Sequence, residues 1–178
     1  MAFVALFDTA TIYGQLQRDL ILRAAERDLF QPAWSEDIVG ELERTLSDKG
    51  YEPGRMIGEL RLCFPSAWVD RYEDLITAMP VDPDDRHVAA AAVKAGAGVI
   101  VTPNLRDFPR DPLRRWDIDV QTPGEFLQHL WFLRPDIMSA ILEEMAADYT
   151  RPPVTRDEIL DHLITTAPEF VAVVRGEA

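Results

Sequence analysis

Short apolar runs alternate with segments of helical periodicity along the first part of this chain. The run AFVALF, closed by Asp8, predicts a buried strand. Residues 12–28 carry apolar side chains at helical spacing, and the segment LFQPAW that follows them is a candidate second strand. Another helix is predicted to begin after Ser35, because serine is a good N-cap and Ile38 and Leu42 begin an apolar stripe.

The same alternation continues beyond this helix. Pro53 predicts the start of a further helix, and a strand followed by a helical turn is expected within residues 67–80. A helix is then predicted over residues 85–95, with Asp84 as its N-cap and Gly96 as its stop. The run GVIVT that follows this helix predicts another buried strand.

A last short strand is expected at residues 116–120, and the pattern changes from Pro123 onwards. Strands that alternate with helices indicate an α/β fold, in which helices cover both faces of a parallel sheet. Beyond that point only helices are predicted, over residues 124–133, 135–149 and 155–166. We expect a sheet domain at residues 1–122 and a helical extension at residues 123–178, because each of these last helices is too short to carry its own core.

The composition narrows the classes of function. A net charge of −13 argues against a broad basic surface that binds nucleic acid, but it is compatible with an enzyme that binds phosphates through a metal ion. The single cysteine, Cys63, excludes an internal disulfide and a cysteine-based zinc cluster, and its apolar neighbours predict that it is buried. The apolar start is too short for a signal peptide and no stretch reaches the length of a membrane span, so we expect a cytoplasmic protein with no membrane partner.

Four acids are candidates for one site. Asp8 ends the first strand, Asp107 lies just past the GVIVT strand, and Asp85 begins the helix that leads into that strand. Glu41, beside the apolar stripe of its helix, is the fourth. Ligands in parallel α/β sheets bind outside the carboxyl ends of the strands, so we expect these carboxylates to converge there. Converging carboxylates repel one another, and a hard cation such as Mg²⁺ or Mn²⁺ relieves that repulsion.

Each of these acids also has a purely structural interpretation. Asp84 and Asp85 are suitable as a helix cap and a first-turn acid. Glu41 is equally suitable as a solvated helix residue, and Asp107 as a turn residue. His87 is favoured as a structural or surface histidine over a metal ligand. Spacing alone leaves both interpretations open.

Three stretches of the chain resemble the PIN-domain family, and more narrowly the VapC-like toxin ribonucleases of bacterial type II toxin–antitoxin systems. They are LFDT, WSEDIVGELERTL and DPDDRHVAAAAVKAGAGVIVTPNLRDFP, of which the third is the most specific. The resemblance covers roughly residues 3–122, and the helical tail looks like the extension carried by one branch of the family. It implies a three-layer α/β/α sandwich with a central parallel sheet, and Mg²⁺- or Mn²⁺-dependent cleavage of RNA.

The resemblance also assigns site residues. The family's acids fall on positions that the spacing had already selected, with Glu43 as a less favoured alternative to Glu41 and with the last acidic position shared between Asn104 and Asp107. Thr102 is expected to form a hydrogen bond within the site. The catalytic residues implied are Asp8, Glu41, Asp85, Asn104 and Asp107, and the metal ligands implied are the four acids among them.

One position departs from the family pattern. The family usually has Asn two residues after its first acid, and this chain has Ala10 there. An alanine cannot orient the acids or a bound water, so a PIN-like binding or scaffold protein without activity is the alternative function. A phosphatase that forms an aspartyl-phosphate on Asp8 ranks far below both, because its second acid is also missing at Ala10.

The resemblance implies partners as well. The substrate is RNA, and Arg86 and Arg106, which flank the site in sequence, are candidates to steer its backbone. Toxins of this type pair with a small antitoxin whose tail covers the acidic cleft, and we expect that partner to offer an arginine to the carboxylates. Association of the nuclease fold into a homodimer is a further expectation from the family.

Overall fold

A computed structural model of the protein describes residues 3–176. Its centre is a five-stranded sheet in which every strand pair is parallel and the strand order is β3-β2-β1-β4-β5. The strands are β1 (Val4–Phe7), β2 (Gln31–Ser35), β3 (Trp68–Val69), β4 (Val99–Val101) and β5 (Asp119–Gln121). The central strands are short apolar runs that are buried almost throughout, as expected for strands covered on both faces.

Helices connect the strands and form the tail. Those up to the last strand are α1 (Thr9–Tyr13), α2 (Gln15–Glu26), α3 (Glu36–Asp48), α4 (Gly54–Cys63), α5 (Arg86–Ala95) and α6 (Arg110–Arg114). The tail consists of α7 (Pro123–Leu133), α8 (Pro135–Asp148), α9 (Arg156–Leu163) and α10 (Pro168–Arg175). Short 3-10 turns at Pro65–Ala67, Glu73–Ala78 and Pro83–Asp85 complete the connections. Among the described residues, no helix is both long and apolar enough to cross a membrane.

The strand order places helices on both faces of the sheet. From β1 the chain moves outward to β2 and β3, and then returns past β2 and β1 to β4. Because crossovers between parallel strands are right-handed, α2 and α3 lie on one face and α5 lies on the other. Contacts of α2 and α3 with β2, and of α5 with β1 and β2, complete the three layers. The predicted α/β/α sandwich is therefore confirmed.

The strand order also creates a switch point between β1 and β4. These neighbours are paired in register, with Leu6 opposite Ile100 and Phe7 opposite Val101. The chain leaves β1 toward one side of the sheet and leaves β4 toward the other. The crevice between two such carboxyl ends is where open α/β sheets bind ligands, and it lies next to Asp8.

The sequence signals for the starts and ends of helices were correct at some positions and wrong at others. Ser35 caps α3 by accepting a hydrogen bond from the backbone N–H of Ile38, as predicted. Gly96 ends α5 in the left-handed conformation, with a φ of 64°, also as predicted. The predicted cap at Asp84 is wrong, because the Asp82 side chain accepts from the Asp84 backbone N–H and starts a 3-10 turn ahead of the helix.

Other differences concern lengths and exposure. The helix predicted over residues 12–28 starts earlier and is broken at Gly14, and two helices, α6 and α10, were not predicted. The last strand lies at the end of the expected range, because residues 110–114 form α6. Cys63 is exposed at the end of α4, so its predicted burial is wrong. Its neighbours are apolar in sequence, but the buried residues of α4 are Ile57 and Leu60, and Cys63 is the last residue of the helix.

The tail packs on the sheet domain through an aromatic cluster. The ring of Phe126, in α7, lies 5.0 Å from that of Phe30 and 5.5 Å from that of Phe7, both edge-on. Both α8 and α9 contact α2, and the Arg23 guanidinium pairs with the Asp148 carboxylate at 2.8 Å. The tail therefore continues the core of the sheet domain.

Candidate active site

Asp8 is the most buried acid of the site. It follows β1 directly, its relative exposure is 8%, and its backbone N–H donates to the carbonyl of Val101. The Thr102 hydroxyl, fully buried at the end of β4, donates to Asp8 Oδ2 at 2.8 Å. Burial raises the pKa of Asp8, while this hydrogen bond and one from the Thr9 backbone N–H act in the opposite direction. Asp8 is thus fixed at the switch point of the sheet.

Thr102 connects Asp8 to the loop after β4. Its backbone N–H donates to the carbonyl of Gln121 at 3.0 Å, which holds it in register with β5. Its hydroxyl oxygen also accepts from the backbone N–H of Asn104 at 3.1 Å. One buried hydroxyl therefore orients the first acid and the start of the next loop together, and the hydrogen bond expected of Thr102 is present.

Glu41 is held by two residues that the spacing argument did not select. On α3, with its side chain 39% exposed, it accepts from the Thr9 hydroxyl through Oε2 at 2.9 Å. His87 Nε2 lies 3.1 Å from Glu41 Oε1. The charge of Glu41 contributes to the raised pKa of Asp8, so the two carboxylates are close enough to repel. His87 was predicted to be structural, and here it supports a site acid.

Asp85 has the most perturbed carboxyl group of the set. It ends the 3-10 turn Pro83–Asp85 and is partly buried. Burial, together with the negative charges of Asp8, Asp107 and Asp82, raises its pKa to about 6. A carboxyl group that responds to three others lies among them, so the structure brings this acid to the same edge as Asp8.

Asp107 and Asn104 form a small unit beside Asp85. The Asn104 side-chain amide donates to Asp107 Oδ2, and the Asp107 backbone N–H donates to the Asn104 carbonyl at 3.2 Å. The backbone N–H of Asp82 donates to the carbonyl of Asp107 at 3.3 Å, which joins this loop to the one before α5. This link brings the two acidic stretches of the sequence together.

The remaining candidate residues, Glu43, Arg86 and Arg106, lie around the acids of the site. Glu43 is exposed, and its charge acts on Arg61, so it lies on another side of α3 from Glu41. Arg106 is exposed beside Asp107. Arg86 is partly buried, with a buried Nε that has no hydrogen-bond partner. The arginines are therefore near the acids, but neither pairs with a site carboxylate among the described contacts.

The donor set suits a hard cation in its chemistry. All four acids offer oxygen ligands, and burial with repulsion from neighbouring acids raises the pKa of Asp8 and of Asp85, so a bound cation would stabilise their charged forms. In their described conformations, no three Asp, Glu, His or Cys side chains within residues 3–176 are arranged so that they could hold a metal ion. To share an ion, the side chains around Asp85 must rotate toward one point.

Ala10 lies at the mouth of a cavity next to Asp8. The cavity measures about 340 Å³ and is lined by Asp8, Thr9, Ala10, Tyr13, Thr45 and Lys49. A larger side chain at Ala10, which is exposed, would project at its edge. Lys49 donates from Nζ to the Tyr13 hydroxyl at 2.9 Å and supplies a positive charge to the lining of the cavity.

Comparison with known proteins gives two family matches. The PIN domain matches residues 4–106, and the VapC50 C-terminal domain matches residues 123–176, which supports the expected branch with a helical extension. No solved structure matches the chain.

A curated relative from Mycobacterium tuberculosis, named "Putative ribonuclease VapC50", is 40% identical over 110 residues. The match covers 62% of this chain, and the chain spans 65% of the length of that relative. The PIN-domain match extends over more than half of the chain and includes Asp8, Glu41 and Asp85, and it ends one residue before Asp107. The chain therefore belongs to the PIN-domain family.

Proposed function

We propose that this protein is a metal-dependent endoribonuclease that hydrolyses phosphodiester bonds of RNA, and that it is the toxin of a toxin–antitoxin pair. The observation that carries the proposal is the arrangement of acids at the carboxyl ends of β1 and β4, where Thr102 holds Asp8, and the Asp82 backbone N–H joins the loop of Asp85 to that of Asp107. The pKa of Asp85, raised to about 6 by burial and by the charges of Asp8, Asp107 and Asp82, agrees with this arrangement. Such a group of repelling carboxylates at a sheet switch point suits a cation that also binds phosphate. Membership of the PIN-domain family supports the same chemistry.

Each acid has a role that follows from its surroundings. Mg²⁺ or Mn²⁺, when bound, would supply charge stabilisation at the phosphate and lower the pKa of a water. Asp8, Asp85 and Asp107 are proposed as its chief ligands, with Glu41 completing the set directly or through water. Thr102 holds Asp8 by its hydroxyl, so the first ligand is oriented before substrate arrives.

Neighbouring side chains orient two of these acids, Glu41 and Asp107. The Thr9 hydroxyl and the His87 imidazole orient Glu41 from two sides. The Asn104 amide holds Asp107 through one oxygen and leaves the other oxygen available. On this basis we assign Asn104 a positioning role. Asp8, Glu41, Asp85 and Asp107 are proposed as the catalytic acids.

The test is cleavage of a mixed set of structured and single-stranded RNAs with Mn²⁺, Mg²⁺ or EDTA. We expect metal-dependent cleavage by the wild-type protein and its loss, by at least a hundredfold, in Asp8→Asn and Asp85→Asn. Asp84→Asn is the matched control, because Asp84 is exposed and one residue away. Equal cleavage by all four proteins would show that the acids do not carry the reaction.

A PIN-like scaffold without activity is the second candidate, and Ala10 is the observation that favours it. The two functions differ in metal binding. A nuclease site that is saturated with Mn²⁺ at a hundred times its dissociation constant gains about 2.7 kcal/mol of stability, whereas a scaffold gains little. Thermal unfolding with Mn²⁺ and with EDTA measures this difference, with Asp85→Asn as the variant that should not respond.

Partners belong to the same proposal. A protein antitoxin that inserts an arginine among the carboxylates would neutralise the charges that raise the pKa of Asp85. Co-purification with the product of the adjacent gene tests for this partner, and the absence of a second small protein would count against it. Association as a homodimer is proposed from the family, and sedimentation measurements test it.

A further inference from the structure

Two adjoining cavities lie along one side of the acidic site, and Tyr13 lines both. The first contains Asp8 and Ala10 and ends at Lys49. The second measures about 300 Å³ and is lined by Tyr13, Gly14, Gln15, Arg18, Leu46, Tyr51, Glu52, Pro53 and Met56. Their linings, which share Tyr13, include the buried Asp8 in the first cavity and the exposed Tyr51 in the second, and the two cavities together are called the path below.

A turn at the end of α3 places the groups that line this path. Lys49 follows the last residue of the helix, and Gly50 adopts a φ of 83°, in the left-handed region where a side chain is strained. The backbone N–H of Tyr51 then donates back to the carbonyl of Leu46 at 3.1 Å. The turn is therefore closed, and it presents an ammonium group and an aromatic ring on nearby positions.

Lys49 and Tyr13 are in direct contact at the junction of the cavities. Lys49 Nζ lies 4.7 Å from the centre of the Tyr13 ring and donates to its hydroxyl. Tyr51 is 62% exposed, so its ring is accessible to a ligand from solvent. The chain has two lysines, and the other, Lys94, lies in the last turn of α5, at the opposite end of that helix from Asp85.

We propose that this path binds the single-stranded RNA next to the bond that is cut, with a base stacked on Tyr51, a second against Tyr13, and the intervening phosphate on Lys49. The inference rests on the proposed function, because it starts at Asp8. Single strands are bound by aromatic side chains that stack with bases, combined with cations that follow the backbone. The path supplies both, in a protein whose net charge of −13 repels RNA elsewhere.

Ala10 has a role in this arrangement. It lines the first cavity together with Asp8 and Tyr13, and its methyl group takes up less of that space than the family's Asn would. The residue that departs from the family pattern thus contributes space to the substrate path. We expect Ala10→Asn to narrow the entrance and to weaken RNA binding.

The test is binding of fluorescein-labelled octauridine to the full-length protein in EDTA, measured by fluorescence anisotropy over a range of KCl concentrations. Without metal the probe stays intact, so binding is separated from cleavage. We expect Tyr51→Ala to weaken binding by about five- to tenfold, and Tyr51→Phe to bind like the wild type. Lys49→Gln should lower the slope of log affinity against log salt by about 0.7.

Matched controls lie elsewhere on the surface. Lys94→Gln removes the other lysine, and Phe132→Ala removes a ring that is 66% exposed in the tail. Both should bind octauridine like the wild type. An abasic octamer, which keeps the phosphates and lacks the bases, should bind Tyr51→Ala and the wild type equally.

The outcomes separate this inference from the proposed function. One outcome is that the wild type cleaves RNA with Mn²⁺ while Tyr51→Ala and Lys49→Gln bind octauridine normally. In that case the path does not bind RNA, and a protein partner becomes its candidate ligand. If the wild type neither binds nor cleaves RNA, the proposed function is wrong and the inference falls with it. Binding that depends on both residues, without cleavage, overturns the nuclease proposal and retains the path.

Discussion

At the scale of single residues, the fold places Asp85 where its ionised form is destabilised. The side chain is partly exposed, yet burial and three neighbouring acids raise its pKa from 3.8 to about 6. The folded protein therefore binds a proton at Asp85 more tightly than the unfolded chain does. The stability that this protonation contributes is fully present below about pH 3.8 and is lost as the pH rises through 6.

We therefore predict that Asp85→Asn stabilises the metal-free protein above pH 6. The amide cannot ionise, so the repulsion from Asp8 and Asp107 is removed. Because Asp85 is only partly buried, the gain is discounted to about 1 kcal/mol, and it should vanish near pH 4. Thermal unfolding in EDTA at several pH values measures the difference. Asp84→Asn serves as control, and a pH-independent gain would contradict the prediction.

At the scale of elements, some signals were readable in the sequence and others were not. The strands β1 and β4 were predicted because each is a short apolar run bounded by polar residues or glycine, and the start of α3 and the stop of α5 carried clear caps. Cys63 was misjudged because neighbours in sequence do not reveal which side of a helix faces the core. The cap at Asp84 failed because Asp82 starts a 3-10 turn ahead of the helix.

The candidate site was likewise predictable from the sequence only in part. Acids that follow strands could be placed by topology, since the carboxyl ends of parallel strands share one edge. Thr9 and His87 were not selected as partners of Glu41, because these contacts depend on how α1 and α5 lie relative to α3 in the folded protein. The motif that contains His87 was the signal available, although spacing alone could not show which acid it approaches.

The end of α5 provides a prediction at this scale. Gly96 has a φ of 64° and stops the helix that follows Asp85, so Gly96→Ala should cost about 1 kcal/mol. Gly58 lies inside α4, where an added methyl group would meet no atom within 4 Å, so Gly58→Ala should stabilise by about 0.5–1 kcal/mol. Urea unfolding of both variants checks the opposite signs. A gain at Gly96 would contradict the left-handed cap.

At the scale of the whole molecule, the tail is part of the core. Phe126 lies edge-on to Phe7 and Phe30, and α8 and α9 rest on α2. We retain as a proposal that residues 1–122 form the nuclease unit and residues 123–178 form an extension. The rings shared between them indicate that the two parts unfold together.

Two phenylalanines of α7 test this coupling. Phe126 is 1% exposed and Phe132 is 66% exposed. Phe126→Ala should destabilise the protein by about 3–5 kcal/mol, because it leaves a cavity between two rings of the sheet domain. Phe132→Ala should stay within about 0.5 kcal/mol of the wild type. Urea unfolding followed by near- and far-ultraviolet circular dichroism should give one transition. Separate transitions for sheet and tail would contradict the shared core.

The aromatic cluster also sets an order of events during synthesis. β1, which carries Phe7 and leads into Asp8, is made first, whereas Phe126 leaves the ribosome long afterwards. Until then the rings of Phe7 and Phe30 lack their cover, so the strand that positions the first acid is not held in its final packing. We therefore expect the proposed nuclease activity to begin only after the helical tail has emerged from the ribosome.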